Sequence, residues 1–214
     1  DRPELGAVRA ELIALRAQLD GQGLPGVMVD EKAAEGLSKH IPGQLILAAC
    51  RQVAVRLDSA RGALGSLRLP LDRELLRAMV DAQAVGASAD ALVALGQQVR
   101  APVRAERVRT TLVALQAVAE LGEREFEIGD ALTAVGAAVG SGGHPAVRDL
   151  LVDARALRGT PSARGLALRE RATRGRPESP GRSGSSHGNG PPHDVGYGQG
   201  RGRGNGVNMG MNPG

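Results

Sequence analysis

A chain of 214 residues, 42 % of them apolar, is long enough for one packed domain plus an extension; with one Phe, one Tyr and no Trp, its core must be built from Leu, Val and Ala. The net charge of +4 divides unevenly: the first 154 residues hold 17 basic and 20 acidic side chains, whereas ten Arg against Glu170, Glu178 and Asp194 give the rest +7. The single cysteine, Cys50, excludes an intrachain disulfide, and no window approaches the ~18 apolar residues that cross a bilayer.

Apolar spacing predicts helices in sequence. Residues 3–20 carry a three-four seam of Leu5, Val8, Leu12, Leu15 and Leu19, with Pro3 in the first turn and Gly21 at the end. That seam suits a bundle helix, with a dimerising helix as the sharper reading. A short helix over 27–39 stops at Ile41-Pro42. Residues 42–64 then line Ile46, Cys50, Val53, Leu57, Ala60 and Leu64 on one stripe, with Gln44, Arg51, Gln52, Asp58 and Arg61 away from it. Cys50 in that stripe reads as a small buried hydrophobe rather than a reactive thiol.

Asp72 is placed to cap a helix over 73–85, with Leu71 and Leu76 spaced as a hydrophobic staple, and Ser88 to cap one over 89–99. Residues 103–121 follow, with Val108, Leu112, Leu115 and Val118 on one face and Gly122 at the end. A helix over 124–139 leads to the loop Gly140-Ser141-Gly142-Gly143, and Pro145 opens another over 145–158. Gly129, Gly136 and Gly140 suggest close helix crossings. Thr160-Pro161 starts an arginine-rich, weakly patterned helix over 162–173. No segment alternates with period two. Joints such as His40-Ile41-Pro42, Gly86-Ala87-Ser88, Leu121-Gly122 and Gly143-His144-Pro145 form a faint internal repeat that favours stacked helical hairpins.

The fold class is therefore all-α: an irregular array of short helical hairpins, about eight helices, with a disordered Gly/Pro/Arg-rich C-terminal tail. The organisation is a helical domain over 1–158, a weak helix or linker over 159–173, and a tail over 174–214. Thirteen of those last 41 residues are Gly and five are Pro, a composition that cannot offset the entropy of ordering.

Gly23-Leu24-Pro25, the run Lys32-Ala33-Ala34-Glu35-Gly36-Leu37-Ser38-Lys39 and Ile41-Pro42 resemble a group of uncharacterised, Ala/Leu-rich helical proteins of high-GC bacteria. The glycine-terminated joints near Val85-Gly86-Ala87 and Leu121-Gly122 look like later joints of the same pattern. The likeness spans about residues 20–160. It differs at His40-Ile41-Pro42, where Gly-Val-Pro is more typical. The resemblance implies an all-α fold and export, periplasmic or secreted, with the cytoplasm as the alternative. The start at Asp1 rather than Met is compatible with a removed signal peptide.

Candidate chemistry is sparse. The loop Gly140 to Pro145 runs into a helix start, where backbone N–H groups favour an anion, but it lacks the preceding strand and following Lys of a phosphate loop. His40, His144, His187 and His193 show no metal-ligand spacing. Glu120, Glu123, Glu125, Glu127 and Asp130 surround a helix start, where acids complement the dipole. No catalytic, cofactor-binding or metal site is expected. The tail stretch Gly196 to Gly204 resembles an RGG segment, in which Arg pairs with phosphate and the aromatic ring stacks on bases. Arg182, Arg201, Arg203 and Tyr197 are its candidate polyanion-binding residues. The expected function is a non-enzymatic helical interaction or scaffold protein, with a protein partner on the body and weak polyanion contact through the tail. The alternative is a nucleic-acid-associated protein binding RNA or DNA through that tail.

Overall fold

The longest unbroken apolar stripe produces the central helix. Ile46, Cys50, Val53, Leu57, Ala60 and Leu64 recur every three or four residues, and all six are buried in the computed structural model, which describes residues 8–174. Eight helices, and no strand, occur among the described residues: α1 (Arg9–Gly21), α2 (Val27–Ser38), α3 (Gly43–Ser66), α4 (Arg73–Ala84), α5 (Ala89–Gln98), α6 (Arg104–Glu123), α7 (Ile128–Ala156) and α8 (Pro161–Arg174). The fold is all-α, as the periodicity predicts. None of these helices is long and apolar enough to cross a membrane.

One continuous core joins them. α3 packs against α1, α2, α4 and α5; α6 packs against α4 and α7; α7 also contacts α5 and α8. The seam of α1 turns inward, with Val8 and Leu19 buried and Leu12 and Leu15 half-buried against the core, while Pro3 and Leu5 lie outside the described residues. The inward seam favours the bundle reading over the dimerising one. Burying each Leu of this core contributes about 1.5–3 kcal/mol.

Five helices end the same way. After α1, α2, α3, α4 and α6, the chain adopts a left-handed residue, respectively Gly23, His40, Arg68, Gly86 and Glu125. The next residue's N–H then reaches back to a carbonyl five positions earlier: Leu24 to Leu19, Ile41 to Gly36, Leu69 to Leu64, Ala87 to Ala82 and Phe126 to Leu121, each at 2.9–3.1 Å. This double-wrapped stop satisfies carbonyls that the helix end leaves open, and the residue after it packs inward. Leu24, Leu69, Ala87 and Phe126 are all buried. The recurrent device accounts for the joints at His40-Ile41-Pro42, Gly86-Ala87-Ser88 and Leu121-Gly122, but not the one at Gly143-His144-Pro145.

Two caps form as expected. Asp72 Oδ1 accepts from the Glu74 and Leu75 N–H groups at 2.8 and 3.4 Å, and Ser88 Oγ accepts from the Ala91 N–H at 3.2 Å. The staple does not close in the same way: Leu76 is buried, but Leu71, ahead of the Asp72 cap, stays 52 % exposed.

The region after α6 corrects two boundaries. A helix start at 124 is precluded by the left-handed Glu125, so α7 begins at Ile128. The expected four-residue loop shrinks to one residue: Gly140, Ser141 and Gly142 are helical, and only Gly143 leaves the helix, with φ 63° and ψ −147°. There α7 divides into arms 128–142 and 144–156. A Cβ on Gly143 would lie 4.0 Å from Thr110 Oγ1, whereas Arg155 bonds Glu120. The ten residues from Thr110 to Glu120 advance about 15 Å along α6, so the second arm runs alongside α6 in the direction of its chain. Of the glycines expected at crossings, Gly136 sits tightly against Gln98, but Gly129 and Gly140 face open space.

α8, the weakly patterned segment, is a full helix packed on α7. Its burial is narrow but specific. Leu168 is fully buried, and Gly165 lets the backbone approach the Asp130 carboxylate so closely that a Cβ would collide with it. Arg169 then pairs with Asp130 at 2.9 Å, while Arg164 lies 4.9 Å over the Phe126 ring and donates to the Arg124 carbonyl at 3.1 Å. Few apolar residues suffice because the Asp130–Arg169 pair and the stacking of Arg164 on Phe126 add to the burial of Leu168.

Candidate functional site

The reversal at Gly143 and the seating of α8 together open a cleft. Its floor is formed by Ala138 of the first arm, Ala146, Leu150 and Val152 of the second, and Ala172 of α8. Its rim carries Ser141, Asp149, Asp153, Arg171 and Arg174, and its volume is about 650 Å³. Val152 is 61 % exposed there, an aliphatic side chain left in solvent beside a buried Leu150. Arg171 stands 3.9 Å from Asp153, and Arg174 pairs with Glu170 at 3.2 Å. Both pairs are exposed and exchange readily for other partners. An apolar floor with charges of both signs at its edge is the form of a site for an amphipathic segment.

A second recess, about 550 Å³, lies between α4 and α6 and is acidic. Asp81, Glu120 and Glu123 line it with Ala78, Gln116, Ala119 and Arg124. Burial pushes the Asp81 carboxyl above its ordinary range; Arg77 pulls the other way, and the charges of Glu123 and Glu31 add to the rise. Glu120 is held by Arg124 at 3.2 Å and by Arg155 at 3.0 Å, tying α6 to the second arm of α7.

The acidic run of the sequence is thus dispersed over different tasks. Glu120 bridges helices, Glu123 lines the recess, Glu125 is the left-handed stop, Glu127 precedes α7 without a capping side-chain bond, and Asp130 receives Arg169. No pair of them shares a proton-transfer geometry in the described residues. The anion loop over 140–145 is not formed either. Its first three residues are helical, and Ser141 Oγ donates to the Ala138 carbonyl at 3.1 Å. His40 ends α2 and His144 begins the second arm of α7, and no group of three or more metal-ligating side chains occurs among the described residues.

Cys50 behaves as its stripe predicts: it is fully buried, its Sγ donates to the Val29 carbonyl at 3.5 Å, and burial pushes the thiol up. Glu35 is the other shifted group. Hydrogen bonds from Lys32 and Lys39 lower its carboxyl to about 2 at the exposed end of α2. The tail candidates Arg182, Tyr197, Arg201 and Arg203, with His187 and His193, lie outside the described residues. Sequence reasoning missed the α7–α8 cleft, because its walls are Ala residues whose spacing carries no sign of a groove. No protein-family model, curated protein or solved structure matches this chain.

Proposed function

We propose that this chain is a non-enzymatic interaction protein that docks a short amphipathic segment of a protein partner in the α7–α8 cleft. The observation that carries the reading is that cleft's build: an aliphatic floor that includes exposed Val152, edged by Arg171, Arg174, Asp149 and Asp153. A floor of small side chains accepts a partner's larger ones, and the mixed rim fixes their direction. The test is affinity capture with the full chain. Val152→Glu puts a charge on the floor without disturbing a buried residue and should abolish capture, whereas Val55→Glu on the far helix α3 should retain it. Unchanged capture by Val152→Glu, or no partner for the parent chain, would refute the proposal.

The second reading is polyanion contact through the tail residues Arg182, Tyr197, Arg201 and Arg203. Charge supports it, because residues 175–214 carry four Arg against Glu178 and Asp194, a net +2 that attracts anions. Arg182→Gln/Arg201→Gln/Arg203→Gln should weaken RNA binding and flatten its salt dependence. Export is carried by the resemblance alone, and a gene lacking any cleavable apolar segment ahead of Asp1 would remove it.

A further inference from the structure

The folded body holds one strongly basic corner. Residues 100–109 contain Arg100, Arg104, Arg107 and Arg109 against a single acid, Glu106. They span the joint between α5 and α6 and the first turns of α6. Among the described residues none of these four guanidinium groups has an ion-pair or hydrogen-bond partner, whereas Arg16, Arg51, Arg73, Arg77, Arg155 and Arg169 all reach acids on other helices or distant turns. The Arg107 Nε is buried and unpaired. At about 100° per residue, Arg104 and Arg107 share one side of α6, while Glu106 projects with Arg109 from another and does not neutralise them.

This placement runs against local electrostatics twice. Positive charge at a helix N-terminus opposes the dipole, and like charges three residues apart repel. Val103, which precedes α6, supplies no side-chain cap and stands 56 % exposed between Arg100 and Arg104. A bound anion would relieve both the dipole conflict and the repulsion.

We infer that the α5–α6 corner, through Arg100, Arg104 and Arg107, is a binding surface for the phosphodiester backbone of a nucleic acid. Arginines repeated at about 5–6 Å along a helix face match an anion that itself repeats, rather than a single carboxylate. A membrane surface fits less well. An interfacial helix must offer an apolar face, and the apolar face of α6, with Ala114, Leu115, Val118 and Leu121, is buried in the core. Recognition is of backbone charge, without base readout. The inference shares its ligand class with the tail reading but stands on residues of the body.

The experiment uses the full chain and a fluorescein-labelled DNA duplex of about 20 base pairs, titrated by anisotropy across a salt series from about 50 mM. Arg100→Gln/Arg104→Gln replaces two exposed side chains, and adding Arg107→Gln extends it to the half-buried one. Arg9→Gln/Arg56→Gln is the charge-matched control on α1 and α3. Each phosphate contact contributes about 0.9 to the salt slope, so the corner double variant should flatten it by about 1.8 and bind at least about tenfold more weakly near 50 mM salt. The control should stay within about twofold of the parent. Parent-like binding by the corner double variant overturns the inference, as does an equal loss in the control. Loss confined to Arg182→Gln/Arg201→Gln/Arg203→Gln sinks the corner and keeps the tail reading; loss confined to the corner variants supports the corner and sinks the tail. A parent chain that binds phosphatidylserine vesicles but not the duplex also overturns it.

Discussion

Gly143 is the hinge on which the cleft depends, and it separates two architectures cleanly. Its φ of 63° and ψ of −147° fall where essentially only glycine is found, so Gly143→Ala should cost about 1–3 kcal/mol of backbone strain. Crowding adds nothing, because the nearest atoms to a Cβ are 4.0 Å away, on Pro145 and Thr110. The reduced freedom of the unfolded chain returns about 0.4–1 kcal/mol, leaving a net loss of about 1.3 kcal/mol at the middle of the two ranges. For a folded body of this size that lowers Tm by about 3–5 °C. Gly140→Ala is the internal comparison: Gly140 is helical, exposed, and has nothing within 4 Å of a Cβ, so alanine should stabilise by about 0.5–1 kcal/mol. Thermal melts followed by far-UV circular dichroism measure both. If Gly143→Ala is as stabilising as Gly140→Ala, α7 is one uninterrupted rod, the second arm does not return along α6, and the α7–α8 cleft does not exist.

Four further outcomes are expected. Arg68→Gly and Glu125→Gly replace left-handed residues that carry a Cβ and should each raise stability by about 1 kcal/mol in urea titrations; a loss would show that the double-wrapped stops are not formed there. Asp72→Ala and Ser88→Ala should each cost about 1 kcal/mol, read in the same titrations, because each removes an acceptor for otherwise open helix N–H groups. Asp81 has a raised carboxyl pKa in the fold, so it erodes stability as pH rises from the unfolded value through the folded one. Asp81→Asn should therefore stabilise at pH 7, and that gain should vanish in acid once the parent carboxyl is protonated. Glu35 is the opposite case. Its lowered pKa contributes stability above its ordinary value of 4.5, lost as pH falls toward about 2, so Glu35→Gln and the parent should converge in that window; its exposure keeps the difference small.

The parts of the fold written in side-chain period were legible, and the parts written in backbone conformation were less so. The stripe from Ile46 to Leu64 and the caps Asp72 and Ser88 follow directly from residue type and spacing. The stops at Arg68 and Glu125 did not, since neither residue favours the left-handed region; only the buried Leu69 and Phe126 that follow them hint at it. Gly140 to Gly143 misled in the other direction. Glycine permits a loop but does not require one, and three of the four residues stay helical because Ala138, Val139 and Val147 keep both arms buried. α8 was read weakly from its many arginines, yet Leu168, Gly165 and the Asp130–Arg169 pair fix it through contacts far apart in sequence. The α7–α8 cleft was invisible for the same reason: it is made by a reversal and a long-range docking, neither of which leaves a periodic trace.

Alanine supplies many of the helix–helix contacts of this protein beside its leucines. Ala60, Ala82, Ala117, Ala131 and Ala134 are wholly buried, and each has only a methyl group to lose. The usual asymmetry of mutational damage is therefore inverted. Truncation has little to remove at these sites, whereas Ala→Val or Ala→Leu must push two backbones apart, at about 1–3 kcal/mol each. Genetic variation at these positions should be filtered most strictly against added carbon atoms, so that in a deep mutational scan they tolerate Gly and Ser better than Val or Leu.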